Sequence, residues 1–170
     1  MTKSVNYFSA KRYIDRYGLD IRGIRICTVV RHGPVTGMTG MIGDLMVSLP
    51  AVGQPVSMQF HQDAPYLMIH AEDAAEIFLR VALAENLNHR VYISGGTLAT
   101  FKDMANTVLT FISEANITTG DQSVPHVYLV DNSRMPTDIG YEIAPLRQGV
   151  LDHKNDARAE AGIAPIAGQA

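Results

Sequence analysis

Between residues 21 and 30 the chain is apolar on both faces apart from Arg22 and Arg25, the pattern of a parallel strand covered on both sides. A helix is expected before it, over 4–17, with Ser4 as N-cap and Gly18 as its stop. Residues 31–43 are rich in Gly, Pro and Thr and read as a loop. A short helix over 41–49 follows, ended by Pro50, then short strands at 56–60 and 66–70. Ala74, Ile77, Phe78, Val81 and Ala82 recur at helical spacing within 71–85, and Glu72 and Asp73 fall in that helix's first turn, where acids complement the dipole. A second buried strand, 90–94, ends at Gly95-Gly96. Thr100 caps a helix predicted through about residue 115, with Asp103 returning the bond. Residues 116–125 read as a polar linker, 127–130 as a strand, and 133–139 as a short helix with Pro136 in its first turn. The last helix, 146–161, is expected to turn Leu146, Val150 and Ala157 inward and Asp152, Lys154, Asp156 and Arg158 outward. Gly162 stops it, and residues 163–170 are expected to fray.

Composition narrows the classes. A length of 170 residues suits one domain with a real core, and 46% hydrophobic with 18% charged residues excludes a disordered or fibrous chain. A net charge of −3 gives no reason to expect nucleic acid or an anionic membrane as partner. Cys27 is the single cysteine, which excludes an internal disulfide and a multi-cysteine zinc site and suits a reducing cytoplasm. Within the presumed strand it reads as a small apolar residue rather than a nucleophile. Met1-Thr2-Lys3-Ser4 leads into no apolar signal core, and no run approaches the length of a membrane span. The expectation is a soluble, cytoplasmic protein.

The chemistry that stands out lies in the first helix. Tyr7-Phe8-Ser9-Ala10-Lys11 places a phenol and an ammonium one turn apart on one face. An ammonium so held favours the phenolate and makes the tyrosine a usable acid/base near neutral pH. With the strand that follows, closed by Gly33-Pro34, the sequence resembles the extended short-chain dehydrogenase/reductase family, that is, NAD(P)-dependent epimerase/dehydratase-like proteins, in the family's C-terminal half. Pro65-Tyr66-Leu67-Met68-Ile69-His70-Ala71-Glu72-Asp73 looks like the family's strand running into an acidic helix start. Val91-Tyr92-Ile93-Ser94-Gly95-Gly96 resembles the last strand of its nucleotide-binding sheet. Asp131-Asn132-Ser133-Arg134, Asp138-Ile139-Gly140-Tyr141 and the terminal helix resemble its final segment, so the likeness covers almost the whole chain in order.

The resemblance implies an α/β fold: the last strands of a Rossmann-like parallel sheet (1–30 and 89–96) joined to a smaller substrate-binding lobe (31–88 and 97–170). By the same analogy Tyr7 is the acid/base, Lys11 tunes it and binds the cofactor ribose, and Gly33 and Pro34 lie against NAD or NADP. Arg31, His32, Thr36 and His61 are the substrate-side candidates. The family's third catalytic residue, an upstream Ser or Thr, and its Gly-rich phosphate turn have no counterpart here. The expectation is therefore a substrate-binding portion that does not bind the dinucleotide alone, with a small-molecule substrate and either homo-oligomers or dependence on an N-terminal half. The reading from another class is a non-enzymatic binding half, or a truncated product that needs a partner chain.

Two patterns bear on this. Residues 37–43 spell G-x-x-G-x-x-G, with Asp63 twenty residues further on, the form of a dinucleotide fingerprint. That fingerprint needs its strand to run directly into the first Gly, whereas Arg31–Thr36 intervene and Gly33-Pro34 breaks the strand. A loop over the substrate is the preferred reading. From His32 through Leu79 there is no Lys or Arg, so a pyrophosphate there would lack its strongest charge-assisted bonds. A small uncharged or weakly acidic substrate is favoured over a nucleotide sugar. His32, His61, His70, His89, His126 and His153 show no ligand spacing, and no metal is expected. Ser48 and Ser94 sit in no nucleophile-elbow pattern.

Overall fold

The computed structural model describes residues 2–33, 38–124 and 128–167. Helix α1 (Thr2–Tyr17) ends as expected at Gly18, whose φ of 65° only glycine adopts freely and whose N–H returns to the Ile14 carbonyl at 2.9 Å. The expected ten-residue strand is two strands, β1 (Gly23–Arg25) and β2 (Thr28–Val30), which belong to different sheets. Ser94 covers the break: its Oγ accepts the Cys27 N–H at 3.2 Å and its N–H donates to the Arg25 carbonyl at 3.0 Å. Helix α2 (Met38–Ala51) begins inside the stretch read as a loop and carries Pro50 in its last turn. Proline is tolerated there because the chain is already turning back, with the Val52 and Gly53 N–H groups on the Leu49 and Pro50 carbonyls.

Strands β3 (Val56–His61) and β4 (Pro65–His70) follow, then helix α3 (Ala71–Leu83), strand β5 (Val91–Ile93), strand β6 (Thr97–Thr100) and helix α4 (Phe101–Phe111). The chain closes with strand β7 (Ile117–Gly120), a short helix α5 (Arg134–Ile139) and helix α6 (Leu146–Glu160). β1 pairs with β5 in parallel, Gly23 opposite Val91, whereas β2, the rest of the 21–30 stretch that the resemblance assigns to the same sheet, does not join them. β2 pairs in parallel with β4, which takes β6 antiparallel on its other edge. β3 and β7 form a separate parallel pair.

β4 is the hub. Tyr66 and Met68 enter a larger core with α2, α4, α6 and β3, while Ile69 faces a smaller one built from α3, Tyr92 and Met135. Four consecutive buried residues, Tyr66 to Ile69, are what a strand covered on both faces requires. α4 opens with the expected capping box: Thr100 Oγ1 accepts the Asp103 N–H at 3.1 Å, and Asp103 Oδ2 accepts the Thr100 N–H at 2.8 Å. No helix among the described residues is long and apolar enough to cross a membrane.

Several expectations fail for identifiable reasons. β7 lies inside the presumed linker, since polar Thr118 and Thr119 can edge a sheet once β3 offers backbone partners. Of the expected strand 127–130, residue 127 lies outside the described residues; 128–130 form no strand and are exposed, Leu129 by 73%, being apolar but without a strand beside them among the described residues. The α3 stripe is narrower than its sequence spacing, with Ala74, Ile77 and Val81 buried and Phe78 and Ala82 outside. Lys154 is turned inward rather than out. Its stem is buried, its ammonium lies 4.3 Å from the Phe111 ring centre, and Nζ donates to the Ile166 carbonyl at 3.2 Å. Arg158 donates to the Ala51 and Ala164 carbonyls at 2.9 and 2.6 Å. The described part of the tail, to residue 167, is thus tied down rather than frayed.

Candidate functional site

α1 presents Tyr7 and Lys11 one turn apart, as the spacing requires, and both are exposed. Lys11 Nζ donates to Asp15 Oδ2 at 2.7 Å, and that bond with the adjacent carboxylate charge raises the ammonium above its ordinary pKa. Lys11 is thus engaged with Asp15, one turn further along, while the Tyr7 ring stands edge-on to Phe8 with centroids 5.9 Å apart. Along the described side chains of α1 only Ala10 and Ile14 are even half-buried.

The turn after β2 carries the next candidates. Arg31 is exposed, its Nε 4.0 Å from Glu72 at the start of α3. Gly33 adopts φ 124° in open space, so the backbone conformation alone calls for glycine there. Pro34 and Thr36, and with them Gly37 of the fingerprint-like stretch, lie outside the described residues. Gly43, its last glycine, sits inside α2 directly against Val30, where a Cβ would collide with the valine side chain. That glycine permits close helix–strand approach. His61 ends β3, exposed, with Nδ1 accepting the Asp63 N–H at 3.2 Å, and it joins none of the other candidates.

His32 alone is drawn into a constellation. Asp44 and Ser48, four residues apart on one face of α2, meet His153 from α6 beneath it. Ser48 Oγ lies 2.8 Å from His32 Nδ1, 2.5 Å from Asp44 Oδ1 and 2.9 Å from His153 Nε2. Asp44 Oδ1 is 3.4 Å from His32 Nδ1 and 3.1 Å from His153 Nε2. On its outer side His32 Nε2 meets Glu160 Oε2 at 2.7 Å. His153 is almost wholly buried, and burial pushes its imidazole down to about 4, so it is neutral at neutral pH. His70, at the end of β4, stands edge-on to His153 with ring centres 6.5 Å apart, and its Nε2 has no hydrogen-bond partner among the described residues. Gly149 on α6 leaves room for that ring, since a Cβ there would strike it.

The local sequence hides this group. The only short-range signal is the Asp44/Ser48 spacing; His32 and His153 are brought to it by the packing of β2 and α6 on α2. Burial raises the Cys27 thiol to about 11, so little thiolate forms at neutral pH.

No family model matches the sequence, and no curated protein matches it. Solved structures do match in fold. A partial consensus L-threonine 3-dehydrogenase aligns at a TM-score of 0.78 and 20% identity, covering 92% of this chain and 55% of its own. The GalE-like L-threonine dehydrogenase from Cupriavidus necator, holo form, aligns at 0.75 and 19%, covering 86% and 51%. The UDP-glucuronic acid 4-epimerase from Bacillus cereus, in complex with UDP-glucuronic acid and NAD, aligns at 0.70 and 15%, covering 88% and 49%. The chain spans about half the length of each. Its fold is therefore the α/β architecture of about half of these L-threonine dehydrogenases and of the UDP-glucuronic acid 4-epimerase.

Proposed function

We propose that this chain is the substrate-binding portion of an NAD(P)-dependent oxidoreductase or epimerase, acting on a small sugar-like or hydroxy/keto substrate and inactive by itself. One observation carries the reading: a likeness in fold to NAD-using dehydrogenases and epimerases over about half their length, with Tyr7 and Lys11 open on the helix that begins it. Tyr7 would give or take the proton on the substrate oxygen, and Lys11 would hold the cofactor ribose and favour the phenolate. Both side chains are accessible and on one face, which fits a ribose. This reading gives the dinucleotide phosphates no site in residues 37–43, where helix α2 begins at Met38 and Gly43 packs against Val30. NAD or NADP, when bound, supplies the hydride chemistry. The substrate side supports a small, weakly charged molecule: between His32 and Leu79 there is no cation, and Gln62-Asp63 occupies the turn before β4.

Calorimetric titration of the purified chain with NADH should show no binding up to millimolar ligand. A micromolar dissociation constant abolished by Gly40→Val would instead assign residues 37–43 as a working cradle and overturn this reading. Co-expression with the dinucleotide-binding part of a GalE-like dehydrogenase should restore turnover of small hydroxy compounds. Tyr7→Phe should remove that turnover, as expected of an acid/base group whose loss costs 10²–10⁴-fold.

A further inference from the structure

We propose that His32, Asp44 and His153 form a binding site for a divalent transition cation, zinc in the first instance, with Ser48 Oγ or solvent completing its coordination. The three donor atoms lie within 4.8 Å of one another. Two ligands each about 2.0–2.2 Å from a tetrahedral zinc stand roughly 3.3–3.5 Å apart. The Asp44 oxygen already stands 3.4 and 3.1 Å from the two imidazole nitrogens. The donor set, two imidazoles and one carboxylate, suits zinc or iron(II) and is poor for magnesium or calcium, which prefer oxygen.

Proton placement carries the inference further. Glu160 is a carboxylate and can only accept, so the 2.7 Å contact puts a proton on His32 Nε2. In the neutral ring that leaves the Nδ1 lone pair facing inward, toward Asp44 Oδ1, a second acceptor. Between these acceptors lies the Ser48 hydroxyl, which has one proton to give and lies within hydrogen-bond distance of both. The protons available to these acceptors are the Ser48 hydroxyl and the His153 Nε2–H, and a cation would replace them both, His153 then holding its proton on Nδ1. A carboxylate fixing the tautomer of a histidine from outside is also the arrangement that orients metal-ligating imidazoles. His32 and Asp44 keep 18% and 19% of their side chains exposed, whereas His153 is sealed, so the group opens to solvent on one side. A cation there would bind the turn after β2 to both α2 and α6.

The test uses the purified full chain, freed of metal by chelation and titrated with zinc chloride by calorimetry. Metal content after gel filtration and the visible spectrum of the cobalt(II) form give independent readings. One zinc per chain and a low-symmetry cobalt spectrum are expected, with a raised Tm in the presence of zinc. His32→Gln and Asp44→Asn, with unchanged far-ultraviolet circular dichroism, should each abolish stoichiometric binding. Glu160→Gln should weaken it about 10–100-fold, and His61→Gln should leave it intact. Failure of the folded chain to take up stoichiometric zinc would overturn the proposal, as would uptake that survives His32→Gln and Asp44→Asn. None of these readings depends on NADH binding or turnover.

Discussion

Asp138 shows how one side chain can fix a junction. His89 Nδ1, Tyr92 Oη and Asn88 Nδ2 all donate to it, at 2.9, 2.8 and 3.0 Å, tying α5 to the approach to β5. These bonds hold its carboxyl down at about 2, against 3.8 for the free group. A depressed acid contributes stability that is whole above the unfolded pKa and disappears as pH falls through the folded one. Urea midpoints followed from about pH 5 down to pH 2 should therefore fall more steeply in the parent than in Asp138→Asn, the divergence lying between 3.8 and 2. Parallel curves would show that the three donors do not discriminate the charged form. At this scale the sequence exposes some roles and conceals others. Thr100 and Asp103 declare their capping box through spacing alone, because both partners lie within one turn. Lys154 hides its inward turn because a long stem lets a charged residue occupy an apolar position, which binary patterning cannot register. The His32 constellation is equally concealed, its members being separated by up to 128 residues.

Among the elements, approach distance decides as much as pattern. α2 can lie on β2 only because Gly43 offers no side chain to Val30. Gly43→Ala should force the helix away or Val30 out of place and destabilise the fold by about 1–3 kcal/mol, the usual cost of overpacking, measured by chemical denaturation. An unchanged stability would mean that the contact relaxes freely. Periodic segments were readable: α3, α6 and β5 fall where periodicity and glycine stops put them, and α4 starts where its capping box puts it but ends at Phe111, short of residue 115. β6 and β7 were not, since each is four residues long and mostly partnered by backbone, leaving little trace in side-chain alternation. The split of residues 21–30 was also invisible, because both halves are equally apolar and only their neighbours differ.

For the whole molecule, unfinished surfaces are the main fact. β1 meets only β5 and β2 meets only β4 among the described residues, so each offers one free edge. Val5, Tyr7, Phe8, Tyr13, Tyr17 and Leu19 are exposed along and just beyond α1. Open strand edges and exposed aromatic side chains drive association. Sedimentation of the purified chain should reveal oligomers or aggregates, and its thermal unfolding should be broad. A monomer with a sharp two-state transition would contradict this.

The end of the chain has a different bearing. The Ile166 carbonyl receives both Lys154 and Asn155, and its N–H returns to Asn155 Oδ1. Those few residues work as a stopper pressed into the mouth of the larger core. A protease cut or a stop codon placed after Gly162 would pull that stopper out and strand an ammonium behind apolar walls with no oxygen to meet it. A truncation between Gly162 and residue 167 therefore costs stability, even though composition alone marks this segment as expendable.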